Sequence, residues 1–169
     1  MCSSDLTILV DDGTGKKVAP EVAYKNVKTI SQSLNFSDYL KLLHNTHCLI
    51  YPSWGEGFGM MPLEAMATGM PVVSSWEWAE YKDQISNKID SSLCDVPDNI
   101  ATHLKDTYLR QIYLPNIDSI RYNIRKVYEN YNDQFDESFT KSIDIHKQWN
   151  WEEVTEKYAI PRLREIYGV

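Results

Sequence analysis

Between Leu49 and Ser75 the residue pattern changes character three times, and glycine or proline marks each change. Leu49 to Ser53 is a short apolar run ending in Pro52, which fits a buried parallel strand and is too short for a useful helix. Trp54 to Gly59 is a glycine-bearing loop. Met60 to Thr68 is rich in Met, Leu, Glu and Ala, all good helix formers, and Pro62 falls in the first turn, where a missing N–H costs nothing. Gly69 reads as the helix stop, Pro71 bars continuation, and Val72 to Ser75 becomes the next strand. The order strand, glycine loop, helix, strand constrains the whole chain to an α/β fold.

A unit of this kind aims the free N–H groups of a helix start, with its positive dipole end, at the carboxyl edge of a parallel sheet, where an anion such as a diphosphate can be held. Gly57 and Gly59 let the backbone approach a ligand closely. Two carboxylates flank that place. Glu64 falls within the first two helical turns and can accept hydrogen bonds from sugar or ribose hydroxyls, and Glu56 lies on the loop. The same residues also fit a plainer role, with the glutamate as a cap or dipole partner and the glycines as turn residues.

The string Pro52-Ser53, Glu56-Gly57-Phe58-Gly59, Leu63-Glu64-Ala65-Met66-Ala67, Gly69, Pro71-Val72-Val73 resembles the donor-site signature of the large retaining GT-B glycosyltransferase family called family 4 or group 1, whose two glutamates are likewise separated by seven residues. The flanks are similar more loosely. Leu6 to Val10 with Asp11-Asp12-Gly13, then Val27 to Ile30, resemble preceding strands. Ser37 to Asn45 reads as an amphipathic helix capped by Ser37 with Asp38 in its first turn. Trp149 and Trp151, leading into Val154, Tyr158, Leu163 and Ile166, resemble a tryptophan-led C-terminal helix. The similarity covers about residues 6 to 95 and 145 to 167.

The resemblance implies a catalytic role for Glu56, whose counterpart contacts hydroxyls of the transferred sugar. It implies that the backbone at Gly57, Phe58 and Gly59 lies against sugar and phosphate, with the donor site continuing over Met60 and Met61 at the helix start, and that Glu64 binds the ribose hydroxyls. Glu80 matches a further family glutamate. No metal or other cofactor is expected, because helix N-termini and basic side chains neutralise the departing diphosphate.

Two departures stand out. Trp76, Glu77 and Trp78 occupy a turn that is small and glycine-rich in similar proteins, so the pocket there is reshaped or covered by another segment. The family's donor domain also opens with a strand and helix carrying an Arg and a Lys that grip the diphosphate, and the chain is expected to start after that unit and after the N-terminal acceptor domain. Residues 51 to 100 hold eight acids and two bases, Lys82 and Lys88, a poor balance for an anionic donor. The missing positive charge is expected from elsewhere; the expected partners are an N-terminal acceptor domain or partner subunit, with a homo-oligomer as the alternative. Lys16 and Lys17 follow the turn Asp12-Gly13-Thr14-Gly15, but GTGKK lacks the P-loop frame and reads as a solvated turn.

At 169 residues and 43% hydrophobic the chain can bury one core, so a single donor-type domain over 1–169 is expected, with core 6–95 and a helical remainder over 97–169. The 24 acids against 17 bases exclude a general nucleic-acid binder, which needs a basic face. Arg121, Arg125 and Lys126 read as a solvated helix face. No apolar run reaches membrane-span length and the N-terminus lacks signal-peptide character, so a cytoplasmic location is expected. Cys2, Cys48 and Cys94 fit reduced thiols, Cys48 as core. His44 and His47 read as a helix-end dipole partner and a turn residue, and His103 and His146 sit in no motif. Asp98 can cap a helix through Leu109; another starts at Pro115-Asn116, carrying Ile120, Ile124, Val127 and Tyr128 on one face. Asn130 to Ser138, polar and acidic, reads as a loop.

The expected fold is a Rossmann-like parallel sheet, strands near 6–10, 27–30, 48–52 and 72–75, with helices on both faces: the C-terminal half of a GT-B enzyme without its first strand–helix unit. Three functions fit: a nucleotide-diphosphate-sugar donor domain transferring a hexose to an acceptor hydroxyl, as a fragment of a longer protein or as one subunit of a split enzyme; a non-catalytic sugar-nucleotide or partner-binding module; or a related enzyme using phosphate in place of a nucleotide.

Overall fold

The computed structural model describes residues 6–9, 27–30, 34–96 and 111–168. Compact units fall at residues 1–42 and 43–169. In the first, β1 (Leu6–Leu9) and β2 (Val27–Ile30) pair in parallel, Leu6 beside Val27 through Leu9 beside Ile30. Helix α1 (Phe36–His44) starts one residue earlier than its expected cap. Asn35, not Ser37, caps it: its Oδ1 accepts the Asp38 N–H at 2.9 Å and its Nδ2 donates to Asp38 Oδ2 at 2.9 Å. Ser37 is already inside the first turn, and the Asp38 carboxylate accepts from the capping asparagine's own amide, a reciprocal pair that holds the cap in place.

The second unit is built on β3 (Leu49–Tyr51), β4 (Val72–Ser74) and β5 (Asn87–Lys88), all parallel and ordered β3-β4-β5. The β1–β2 ladder and this one are separate hydrogen-bonded sheets. β4 is central and every one of its residues is buried, as a strand covered on both faces requires. Val73, Ile89 and Val127 form the core beside it, with Cys48, Ile50, Ile120 and Tyr131 packed around them. Tyr51 pairs with Ser74, so the loops that leave β3 and β4 emerge from one sheet edge.

Helix α2 (Met60–Ala67) bridges those two strands as expected, and Gly69 ends it at φ +81°, a left-handed value that glycine adopts without strain. A long helix, α4 (Tyr131–Gln148), packs over it. A Cβ on Gly69 would stand 3.1 Å from the Phe139 ring, and a ring nitrogen of His146 lies 2.9 Å from the Ala67 carbonyl oxygen.

Three expectations fail in the second half. Gln111–Pro115, expected in a helical region, is β7, paired antiparallel with β6 (Ser91–Asp95); the local pattern Gln-Ile-Tyr-Leu-Pro suits a strand once a partner is available. Helix α3 (Ile117–Glu129) does begin at Asn116, whose Oδ1 accepts the Asp118 and Ser119 N–H groups. Val127 is buried but its neighbour Tyr128 is 84% exposed, since one residue's step turns a helix by about 100°. The expected loop over Asn130 to Ser138 is helical apart from Asn130. Its inward stripe is Gln134, Ser138, Ser142 and Ile145, mostly polar and small, so the helical period hides from a hydrophobicity reading. The expected helix from Asp98 to Leu109 lies outside the described residues.

The tryptophan-led C-terminal segment is helical: α5 (Trp151–Val154), a π turn (Thr155–Ala159) and α6 (Ile160–Tyr167). Among the described residues no helix is long and apolar enough to cross a membrane.

Candidate functional site

The loop that leaves β3 is held from three sides. At its start Tyr113 of β7 donates its N–H to the Trp54 carbonyl at 3.0 Å. At its middle the Glu56 carboxylate accepts two hydrogen bonds on the same oxygen, from the Tyr51 hydroxyl at 2.6 Å and the Ser53 hydroxyl at 3.0 Å. At its end the Tyr81 hydroxyl donates to the Gly59 carbonyl. Between these anchors Gly55, Glu56 and Gly57 are exposed, and a Cβ on Gly57 would meet nothing within 4 Å. The loop is fixed at its feet and open along its crest.

Gly59 caps α2 at φ +75°, and no side chain caps that helix. Its first turn carries no acidic residue. Glu64 therefore lies beyond the first turn, which removes the N-cap role that a glutamate near a helix start commonly fills. It is half-buried and partnered. The helix start thus presents a positive dipole end with no carboxylate of its own in the first turn, the arrangement that favours an external anion.

Beneath the loop lies a cluster of five aromatic rings. Phe58 packs edge-on against Tyr81 at 5.6 Å and Trp149 at 5.5 Å, Tyr81 against Trp149 at 6.1 Å, and Trp78 against both Tyr51 and Tyr81 at 6.3 Å. The Phe58 side chain is thus part of the support, leaving its backbone to the loop. Trp78, in the bulky turn that was expected to reshape this region, fills the space over Gly59: a Cβ there would lie 2.1 Å and 2.4 Å from its ring atoms. Trp76 instead meets Lys88, whose ammonium sits 5.0 Å from the ring centroid, and the Trp76 backbone N–H donates to the Glu77 carboxylate at 3.1 Å. The bulky turn is accommodated by packing against glycine.

Burial, the Glu56 hydrogen bond and the Glu56 charge all raise the Tyr51 phenol well above its ordinary value, in that order. Tyr81 is raised by burial first, then by the charges of Tyr51 and Glu56. Both phenols therefore stay protonated and donate throughout the physiological range.

The structure places Glu56, Gly57, Phe58, Gly59, Met60 and Met61 on the loop and the helix start that follows it, with Met60 52% exposed and Met61 half-buried. Glu64 follows on the same helix. Glu80 lies on the segment leaving β4 and is exposed, with no hydrogen bond tying it to the loop among the described residues. Tyr51, Tyr81 and Trp149 were not singled out as site residues from sequence. Only Ser53 belonged to the recognised string; the tyrosines reach the loop across five and 22 residues of chain with no local signature.

Other candidates resolve into structural roles. His44 ends α1, and His47 stacks edge-on against Tyr131 at 5.6 Å. Cys48 packs against the core, where burial pushes its thiol up to about 12. Lys126 is not simply solvated: it donates to Asn87 at 3.0 Å, while Arg121 pairs with Asp118. Among the described residues no three His, Cys, Asp or Glu side chains gather as a metal site.

The family described as glycosyl transferases group 1 matches residues 14–130, a span that includes β3, the loop and α2. The chain is 33% identical over 60 residues to the O-antigen chain mannosyltransferase RfbU of Salmonella typhimurium, covering 36% of this chain and 17% of that protein. It is 28% identical over 102 residues to the alpha-1,3/1,6-mannosyltransferase ALG2 of Mus musculus, covering 60% of this chain and 24% of that protein. The matched segments thus span a quarter or less of these relatives. No solved structure matches. A family match over more than half of the chain, including the loop and helix just described, makes this chain a member of the group 1 glycosyltransferases.

Proposed function

We propose that the chain is a GT-B donor domain of the C-terminal type, which binds a nucleotide-diphosphate sugar and takes part in retaining transfer of its hexose to an acceptor hydroxyl. The names of the two relatives point to mannose as that hexose. The observation that carries this reading is the uncapped start of α2, entered through a left-handed Gly59 and bracketed by Glu56 and Glu64. The diphosphate lies against the loop backbone and the helix dipole, which stabilise the charge that develops as the sugar–phosphate bond breaks. Glu64 takes the ribose hydroxyls, Glu56 a hydroxyl of the sugar, and Glu80 lines the opposite side. The acceptor oxygen attacks from the face the diphosphate leaves, and its proton passes to the departing phosphate oxygen.

The acceptor site and the cationic grip on the diphosphate come from an acceptor domain or partner subunit, since residues 51 to 100 carry eight acids and two bases. The reading needs no metal. A non-catalytic sugar-nucleotide or partner-binding module is the second reading, favoured by the Trp78 ring seated over the loop's last glycine.

Calorimetric titration with nucleotide and nucleotide sugar tests the assignment. Glu64→Ala weakens binding of both by about 1–3 kcal/mol, the loss of charge-assisted hydrogen bonds, whereas Glu56→Ala removes mainly the extra affinity of the sugar conjugate. Unchanged affinity in both variants would defeat it.

A further inference from the structure

Both hydrogen bonds to the Glu56 carboxylate fall on one oxygen, Oε1. Among the described residues Oε2 carries none. Tyr51 donates from the last residue of β3, so its hydroxyl is fixed by the sheet, and Ser53, two residues on, shares its hydroxyl between Glu56 and the Gly55 carbonyl at 3.1 Å, while the glutamate rides on an exposed loop. A glutamate at such a site has three side-chain torsions to lose, and an unpaired carboxylate there would sample several rotamers. We infer that Tyr51 is a positioning residue for the proposed transfer: with Ser53 it ties down Glu56 Oε1 and leaves Oε2 as the acceptor for a donor-sugar hydroxyl.

Two features of the surroundings support this. The Tyr51 ring is itself braced edge-on by Trp78, whose other neighbour, Tyr81, holds the loop's end at the Gly59 carbonyl. One aromatic brace thus sets both the carboxylate and the backbone of the loop. Toward the Glu56 carboxylate Tyr51 acts as the donor, because burial and the adjacent Glu56 hold its phenol protonated. A donor that cannot ionise gives the carboxylate the same partner across the working pH range.

The inference rests on the donor-domain reading, and the experiment separates the two. Dissociation constants are measured by calorimetry on the full chain for GDP, UDP and ADP and for the mannose or glucose conjugate of each. The key quantity is the ratio of the nucleotide's constant to its conjugate's, which isolates the sugar's contribution. Tyr51→Phe keeps the ring and its contact with Trp78, and removes only the hydroxyl. It should cut that ratio about tenfold while the constant for the free nucleotide moves less than twofold. Ser53→Ala should cut it by less, and the double variant by less than the sum of the two effects, because both act on one carboxylate. In Glu56→Gln the Tyr51→Phe change should have little further effect.

A purely structural role for Tyr51 would lower the unfolding temperature and weaken nucleotide and conjugate alike, leaving the ratio intact, and that result overturns the inference while sparing the donor reading. A full effect of Tyr51→Phe in the Glu56→Gln background overturns it too. No binding of any nucleotide by the wild type would overturn both.

Discussion

Replacing Gly59 by alanine should be among the most damaging single-methyl additions in this chain. Three costs combine. An L-residue forced to φ +75° carries about 1–2 kcal/mol of backbone strain. The new Cβ would lie 2.1 and 2.4 Å from two Trp78 ring atoms and 2.8 Å from the Tyr81 hydroxyl oxygen, and the rings cannot yield freely because Trp78 and Tyr81 already pack on each other; overpacking of this kind costs about 1–3 kcal/mol. The Tyr81 hydrogen bond to the Gly59 carbonyl is then weakened or lost, about 1 kcal/mol more. The sum is about 3–6 kcal/mol, a large share of the roughly 5–15 kcal/mol that holds a domain folded. Urea unfolding followed by tryptophan fluorescence reads it directly: at a slope of about 2 kcal/mol per molar, a loss of about 4 kcal/mol moves the midpoint down by about 2 M. In a Trp78→Ala background the ring clash vanishes, so the added cost of Gly59→Ala should fall to the backbone strain and the crowding at the Tyr81 hydroxyl. Gly57→Ala is the internal control, since open space surrounds that position and its φ is not left-handed; it should be neutral or slightly stabilising. A Gly59→Ala cost under 1 kcal/mol, or one equal to that of Gly57→Ala, would refute the packing described for the loop.

Two further predictions concern titration. Cys48 has its thiol raised from 9.0 to about 12 by burial, so the folded state prefers the protonated form; its contribution to stability is complete below about pH 9 and is lost as pH climbs toward 12, and native Cys48 should resist alkylating reagents that label it readily in urea. Mass-spectrometric mapping that finds Cys48 modified as fast in the native chain as in the unfolded one would contradict its place against the core. Glu137 is lowered from 4.5 first by its hydrogen bond from Lys141 and then by that from Ser86, so its share of stability is present above the ordinary glutamate range and lost as pH falls through the lowered value. Unfolding midpoints from pH 6 downward should therefore fall more steeply in the wild type than in Glu137→Gln, and parallel profiles would show that the contact is unimportant.

The strand–loop–helix–strand unit was legible in the sequence because its punctuation is local. Gly69 at φ +81° and the absence of an N–H on Pro71 dictate a stop wherever they occur, and the β-branched pair Val72-Val73 suits the buried central strand. The fold class followed from that unit. What escaped was nonlocal or polar. Gln111–Pro115 becomes a strand because β6 is beside it, and nothing in five residues reveals a partner some twenty positions away. Helix α4 hid because its buried stripe uses Ser138 and Ser142, small enough to let the helix lie close to its neighbours but silent in any apolar pattern. At the site, the glutamates and glycines of the loop could be named from their spacing and resemblance, but the tyrosines that hold them could not. Tyr81 carries no signature in the sequence, and only the fold shows it buried with its hydroxyl against the Gly59 carbonyl. Trp76 and Trp78 seemed alike in sequence. In the structure Trp78 packs over the loop's last glycine while Trp76 meets Lys88.

The central claim, that the uncapped start of α2 and its two glutamates form a donor site, is tested most directly by thermal unfolding of the chain with UDP, GDP, ADP, CMP and their common sugar conjugates, in the wild type and in Glu64→Ala. A ligand at about a hundred times its dissociation constant adds roughly 2.7 kcal/mol, several degrees for a domain of this size. The account predicts a selective shift with one nucleotide and its conjugate, strongly reduced in Glu64→Ala; no shift with any of them, or one that Glu64→Ala leaves intact, would contradict it.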